Sequence, residues 1–220
     1  MFIAFLLVML AATLVLFTLT RLEVDRIARH HYLQRCSFFT AHPAQPGDVV
    51  FLGDSLTAGA NWDELFPDVG IKNRGINADT TTGVLERLDC VSQGRPAAIF
   101  ILIGTNDLPW YMNRDDEAIL VTYGAILTKI RTHSPTTQVF VESLLPRAHS
   151  YAKRIPELNH KLQTLAESMG YPYIDLYPHF ADAQGDLRAE LNNDHLHLLA
   201  EGYALWAEAL SPALKPYRKL

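Results

Sequence analysis

The sequence predicts an α/β fold, a three-layer α/β/α sandwich around a central parallel sheet of about five strands, preceded by one N-terminal transmembrane helix. Three observations predict it. Strand and helix patterns alternate about five times after residue 47, with no shorter repeat and no second domain. The clearest strand patterns, Val49–Leu52 and Ala97–Ile103, are apolar without interruption, as expected of strands covered on both faces. Met1–Thr20 carries no charged side chain, only three threonines among apolar residues, and as a helix it reaches about 30 Å.

The chain accordingly divides into an anchor (1–20), a stem and linker (21–47) and one folded domain (48–220), large enough for a full hydrophobic core. No Lys or Arg precedes the apolar run, the run is long for a signal peptide, and no small-x-small site precedes Arg21, so an uncleaved membrane anchor is expected. Arg21, Arg26, Arg29 and Arg35 follow it, which by the positive-inside rule places the body in the cytoplasm. A net charge of −5 with scattered basic residues argues against nucleic acid as a partner. Cys36 and Cys90 form neither a disulfide framework nor a CxxC motif, and free thiols are the expected state.

In chain order, Arg21–Gly47 reads as a helical stem ended by His42-Pro43-Ala44-Gln45-Pro46-Gly47. His30 and His31 are adjacent and point apart on a helix, which is poor geometry for a metal. Val49–Leu52 runs into Gly53-Asp54-Ser55, so the first strand stops abruptly. Asn61–Phe66 suggests a short helix and Gly70–Asn73 a weak second strand. Thr80 or Thr81 caps a helix carrying Val84, Leu85 and Leu88. The strand Ala97–Ile103 ends in Gly104-Thr105-Asn106-Asp107. A long amphipathic helix over about Asp115–Ser134 presents Ile119, Tyr123, Ile126, Leu127 and Ile130 inward. Gln138–Leu145 is the fourth strand, Ile155–Met169 a helix closed by Gly170, and Tyr173–Leu176 the fifth strand. A polar loop then carries Asp194-His195-Leu196-His197 into a last helix, Ala200–Leu214, with Ala204, Trp206, Ala207 and Leu210 available to pack.

Three polar signals fall where a parallel sheet gathers its loops: Ser55 after the first strand, Asn106 after the third, and Asp194 with His197 after the fifth. Nucleophilic acyl transfer needs a hydroxyl, a base, a carboxylate that orients the base, and donors for the developing oxyanion. These loops supply all of them.

Gly-Asp-Ser-Leu at 53–56, Gly-Thr-Asn-Asp at 104–107 and Asp-x-x-His at 194–197, in this order and spacing, resemble the blocks of the SGNH (GDSL-type) esterase and lipase superfamily. The resemblance covers about Asp48–Leu210. Asn73–Thr81 and Leu144–Arg147 look most like the branch of the platelet-activating-factor acetylhydrolase catalytic subunits. It implies a flavodoxin-like sandwich with Ser55 as nucleophile, His197 as base and Asp194 as its orienting acid. The implied oxyanion donors are the backbone N–H groups of Ser55 and Ala78 and the side-chain amide of Asn106. Ala78 departs from the pattern, because the family has glycine there. His195 falls two residues short of the catalytic position and reads as a loop residue. Asp54 and Asp107 read as structural, accepting hydrogen bonds from backbone N–H groups.

The chemistry implied is ester hydrolysis without a cofactor, and no residues are arranged as a closed metal site. Resemblance favours a small-molecule ester with a short acyl group, such as O-acetyl on a carbohydrate or lipid. A lysophospholipase or thioesterase acting on longer chains, and a catalytically silent carbohydrate- or lipid-binding protein, are the alternatives. Trp62, Leu108, Trp110 and Tyr111 lie near the site loops, either lining a surface there or serving as core or lid residues. Family habit places the domain outside the cytoplasm, against the charge rule, so the side of the membrane stays open.

Overall fold

A computed structural model gives the architecture and describes residues 2–112 and 114–219, the side chains of residues 4 and 8 excepted. Helix α1 (Phe2–Ala41) leads to β1 (Val49–Gly53), the short helices α2 (Ser55–Ala58) and α3 (Trp62–Leu65), β2 (Ile71–Gly75), α4 (Thr81–Glu86) and α5 (Asp89–Ser92). There follow β3 (Ala98–Leu102), α6 (Asp116–His133), β4 (Gln138–Glu142), α7 (Arg154–Ser168), β5 (Tyr173–Ile174), α8 (Tyr177–Phe180) and α9 (Ala200–Leu214). The five strands form one parallel sheet in the order β2-β1-β3-β4-β5, the expected α/β/α sandwich. The chain leaves β1 for β2 on one side and crosses to β3 on the other. The crevice at the C-terminal ends of β1 and β3 is therefore the reversal point where such sheets bind ligands.

The period-two alternation of a strand sorts the core into two layers. Val49, Phe51 and Phe100 face Trp62, Trp206 and Leu210, whereas Val50, Leu52, Ile99 and Ile101 face Val84, Leu88, Tyr123, Ile126 and Leu162. Helix α6 starts where the Asp115 carboxylate accepts the Ala118 N–H at 2.8 Å, and all five residues expected on its inner face are buried. In α9, Trp206 and Leu210 are buried, but Ala204 points to solvent.

Strand ends differ from the sequence pattern for identifiable reasons. Strand β2 extends to Gly75, because Arg74 and Gly75 still pair with Leu52 and Gly53. Strand β4 stops at Glu142, short of Leu145, because the Asn159 side chain takes over both backbone groups of Leu144 (2.8 and 2.9 Å). Strand β5 stops at Ile174, short of Leu176, where Ser143 Oγ accepts the N–H groups of Leu176 and Tyr177 and turns the chain into α8.

Helix α1 runs unbroken from the apolar segment through the stem. It is long and apolar enough, by length and composition, to cross a membrane, and among the described residues its apolar window buries nothing against the domain. Its second half does pack: Phe39 is fully buried, and Tyr32 Oη donates to Gly83 O at 2.9 Å. Cys36 and Cys90 are free thiols.

The C-terminal end of β4 carries a buried acid. Glu142 Oε2 accepts the Trp206 indole N–H at 2.7 Å. Burial pushes the Glu142 carboxyl up to about 8 from an ordinary 4.5, and the indole hydrogen bond only partly opposes this. The native state therefore holds a proton that the unfolded chain releases above pH 4.5, so stability is lost as pH rises from 4.5 to about 8. Glu142→Gln keeps an acceptor for Trp206 and removes the titration. Thermal denaturation across that window is expected to show a flatter pH profile for the variant and a higher Tm than wild type at its upper end. Parallel profiles would show that Glu142 is not the group responsible.

Candidate active site

Two glycines let the chain close tightly at the end of β1. A Cβ on Gly53 would meet Thr57 Oγ1 at 2.2 Å and Leu102 O at 2.4 Å, and one on Gly75 would meet the Ala58 backbone N at 2.2 Å. Helix α2 therefore begins directly over the strand ends. Asp54 caps it, its Oδ1 accepting the Leu56 N–H at 2.9 Å. The other oxygen, Oδ2, is buried without a hydrogen-bond partner among the described residues. Burial, reinforced by the nearby Asp79 and Asp107 and opposed by the Leu56 N–H, raises Asp54 to about 7. Ser55 follows as the first residue of α2, with its hydroxyl in the crevice.

Ser55 Oγ lies 3.0 Å from His197 Nε2, and His197 Nδ1 lies 2.7 Å from Asp194 Oδ2. The loop bearing this pair is organised by its own side chains. Asp194 Oδ1 accepts the N–H groups of Leu196 (3.0 Å) and His197 (2.7 Å). Asn192 Oδ1 accepts the N–H of His195, which adopts a left-handed φ of 62° and does not join the cluster. Partial burial disfavours the charged Asp194 carboxylate. The hydrogen bonds from His197 and Leu196 outweigh that and hold its pKa below the ordinary value. A hydroxyl, an imidazole and an ionised carboxylate in series can pass a proton from oxygen to nitrogen while stabilising the imidazolium that forms.

Two of the three expected oxyanion donors, Ala78 and Asn106, sit on loops joined to each other. Asn106 Nδ2 donates to Asp79 O at 3.0 Å, which leaves its second N–H free of that bond. Ala78, immediately before Asp79, has φ of 61°, the left-handed region that glycine enters without strain. The alanine departure therefore falls where the backbone demands a glycine-like conformation, and the turn holds it. Ile76 N–H bonds Gly53 O at 3.1 Å and fastens this turn to β1. Asn73 donates to Thr57 O (3.0 Å) and accepts from Gly75 N–H (2.9 Å), tying β2 to α2.

Arg87 is the largest contributor that the sequence reading missed. Its Nε donates to Asp79 Oδ2 at 2.7 Å, and its Nη2 donates to Gly53 O (3.0 Å) and Arg74 O (2.9 Å). Both side chains of the Arg87–Asp79 pair are 2% exposed. The signal was present in the spacing, because Arg87, at the C-cap of α4, lies three residues after the buried Val84. Asp107 plays the expected structural part, accepting the Thr81 N–H (2.9 Å) and hydroxyl (2.8 Å). Burial raises its pKa against those bonds. Of the four aromatic and apolar candidates, Trp62 and Leu108 are core residues, whereas Trp110 and Tyr111 are exposed.

With this geometry the comparison with known proteins is direct. The sequence pattern of the GDSL-like Lipase/Acylhydrolase family matches residues 51–205. The chain belongs to this family. Its relatives include platelet-activating factor acetylhydrolase IB subunit alpha1 of Rattus norvegicus and of Homo sapiens. Each is 32% identical over 180 residues, spanning 76% of this chain and 75% of the relative. The alpha2 subunit of Rattus norvegicus is 31% identical over 169 residues, 71% of each chain. Among solved structures, a Streptococcus pneumonia protein superposes with a TM-score of 0.81 at 24% identity over 90% of this chain and 99% of that one. A GDSL-like lipase of Bacteroides thetaiotaomicron gives 0.71 at 22% identity over 83% and 97%. These last two likenesses concern the fold. Family and fold together support a serine-type ester hydrolase of the GDSL class.

The left-handed turn at Ala78 yields a stability test. That conformation costs a non-glycine residue about 1–2 kcal/mol, and glycine's greater freedom in the unfolded chain takes back roughly 0.5–1 kcal/mol. Ala78→Gly is therefore expected to leave denaturant stability unchanged or raise it by up to about 1 kcal/mol, and Ala78→Val to lower it. A clear loss of stability in the glycine variant would contradict the assigned backbone conformation.

Proposed function

We propose that this protein is a serine ester hydrolase that cleaves short-chain acyl esters, such as O-acetyl groups on carbohydrates or lipids, and is anchored in a membrane by residues 2–20 of α1. The observation that carries the catalytic reading is the Ser55–His197–Asp194 series at 3.0 and 2.7 Å. Ser55 Oγ attacks the acyl carbonyl carbon as His197 Nε2 takes the hydroxyl proton. Asp194, kept ionised, stabilises the imidazolium. The tetrahedral oxyanion is met by the N–H groups of Ser55 and Ala78 and by the Asn106 amide. Its collapse expels the alcohol, which receives the proton from His197. Water, deprotonated by His197, then attacks the acyl-enzyme, and the acid leaves as Ser55 regains its proton. No cofactor takes part.

The short-acyl preference is supported by the acetylhydrolase relatives, which share about a third of the aligned residues. A second reading, a lysophospholipase or thioesterase for longer chains, draws on the apolar α1. A series of p-nitrophenyl esters of increasing chain length, assayed on the full chain in detergent, separates the two. A maximum at acetyl to butyryl supports the first, and one at long chains the second.

A fluorophosphonate probe tests the nucleophile. Wild type is expected to label and Ser55→Ala to remain unlabelled, with kcat lower by about three orders of magnitude or more. A well-folded wild type that neither labels nor hydrolyses acetyl esters would instead identify a silent binding protein. Asp194→Asn is expected to lower kcat by about 10⁴ through loss of the correct imidazole tautomer, with the fold intact by circular dichroism. An activity within tenfold of wild type would remove Asp194 from the series.

A further inference from the structure

The first charge on α1 is Arg21, at the end of the apolar segment. Its guanidinium lies over the ring of Tyr111, 4.5 Å from the centroid. Trp110 packs edge-on against Tyr111 at 6.0 Å and is 88% exposed. Both belong to the segment that begins at Asn106, so the aromatic pair is four residues from an expected oxyanion donor. Beyond Arg21, α1 is fixed to the domain. Tyr32 bonds Gly83 O, and Phe39 is buried beneath the guanidinium groups of Arg74 and Arg87 at 4.7 and 5.7 Å. Ala28, Arg29 and Tyr32 share a cavity of about 250 Å³ with Asn77 and Ala78 of the oxyanion turn.

These positions set a depth. At 1.5 Å per residue, Ala28 lies about 10 Å beyond Arg21 along an upright helix. The headgroup layer on each face of a bilayer is roughly 5–8 Å thick. The oxyanion turn is then at the outer edge of the headgroups, above the glycerol level. Tryptophan and tyrosine favour the interfacial layer, and an arginine at a helix end keeps its charge there. The exposed Leu22, Val24 and Ile27 continue apolar surface into the same layer.

We propose that Trp110 and Tyr111 seat the domain in the headgroup layer, and that the substrate is a membrane lipid bearing a short acyl ester on its headgroup, reached without extracting the lipid. This rests on the hydrolase and anchor readings above. Hydrolysis at that ester adds water across the acyl–oxygen bond, releasing a short-chain acid to solution and leaving the lipid's free hydroxyl in the bilayer.

The test uses the full chain reconstituted in phosphatidylcholine vesicles containing a minor share of phosphatidylglycerol. Trp62 and Trp206 are buried, so lipids brominated near the headgroup are expected to quench Trp110 emission, and Trp110→Phe to remove that quenching. Acetate release from a dialkylglycerol glucoside acetylated on the sugar is expected to exceed that from the same acetylated glucoside without alkyl chains by about tenfold, through the local concentration at the surface. Trp110→Ala with Tyr111→Ala is expected to bring that ratio several-fold toward one. Quenching of Trp110 by aqueous acrylamide but not by brominated lipid, or a ratio unchanged in the double variant, would overturn the proposal. Failure of the hydrolase reading shows separately, as loss of fluorophosphonate labelling with the quenching intact. Failure of the anchor reading shows as a chain that does not float with the vesicles.

Discussion

The buried pair between Arg87 and Asp79 is the contact on which the arrangement of the site depends. One guanidinium reaches the carboxylate beside Ala78, the last carbonyl of β1 and the carbonyl of Arg74 in β2. Two strand ends and the turn bearing Ala78 therefore share one donor group. Breaking such a pair by removing one partner typically costs about 3–5 kcal/mol, because a desolvated charge is left behind. Little water reaches the pair, both side chains being almost fully buried, and burial pushes the Asp79 carboxyl upward against the pull of Arg87. The backbone carbonyl of that same Asp79 orients Asn106. A charge pair with no expected part in the reaction thus positions two of the groups that have one.

A second constraint is the crowding over β1. Gly53 and Gly75 leave no room for side chains, so α2 starts without a spacer and Ser55 is presented at the reversal point of the sheet. Asp54 turns the chain there with one oxygen bonded and the other buried and unpartnered. Local propensity does not explain these features. They are tolerated because the strands beneath are packed on both faces.

Much of this was legible in the sequence. Uninterrupted apolar strands that end in polar residues mark both the sheet and its ligand edge; Ser55 and Asn106 stand just past those ends, and Asp194 and His197 join them from the loop before α9. The strand limits were less legible, because Asn159 and Ser143 replace ladder bonds with side-chain bonds from distant positions. Ala78 could be placed by resemblance, but its left-handed backbone is a property of the turn. The contacts of α1 were missed because Leu22 and Ile27, its obvious apolar residues, are exposed. Tyr32 and Phe39 carry the packing, about one and three turns beyond Ala28 on the same helix face.

On the proposed anchoring, α1 is at once membrane segment and part of the core, which limits how the protein can move. A domain on a slack linker explores a hemisphere above its attachment point. Here α1 packs on the domain through Tyr32 and Phe39, so rotation about the helix axis sweeps the Ser55 crevice around a circle at constant height. Encounter with a lipid then becomes a search in two dimensions. Its rate depends on lateral diffusion and the surface density of the ester, not on collisions from bulk water.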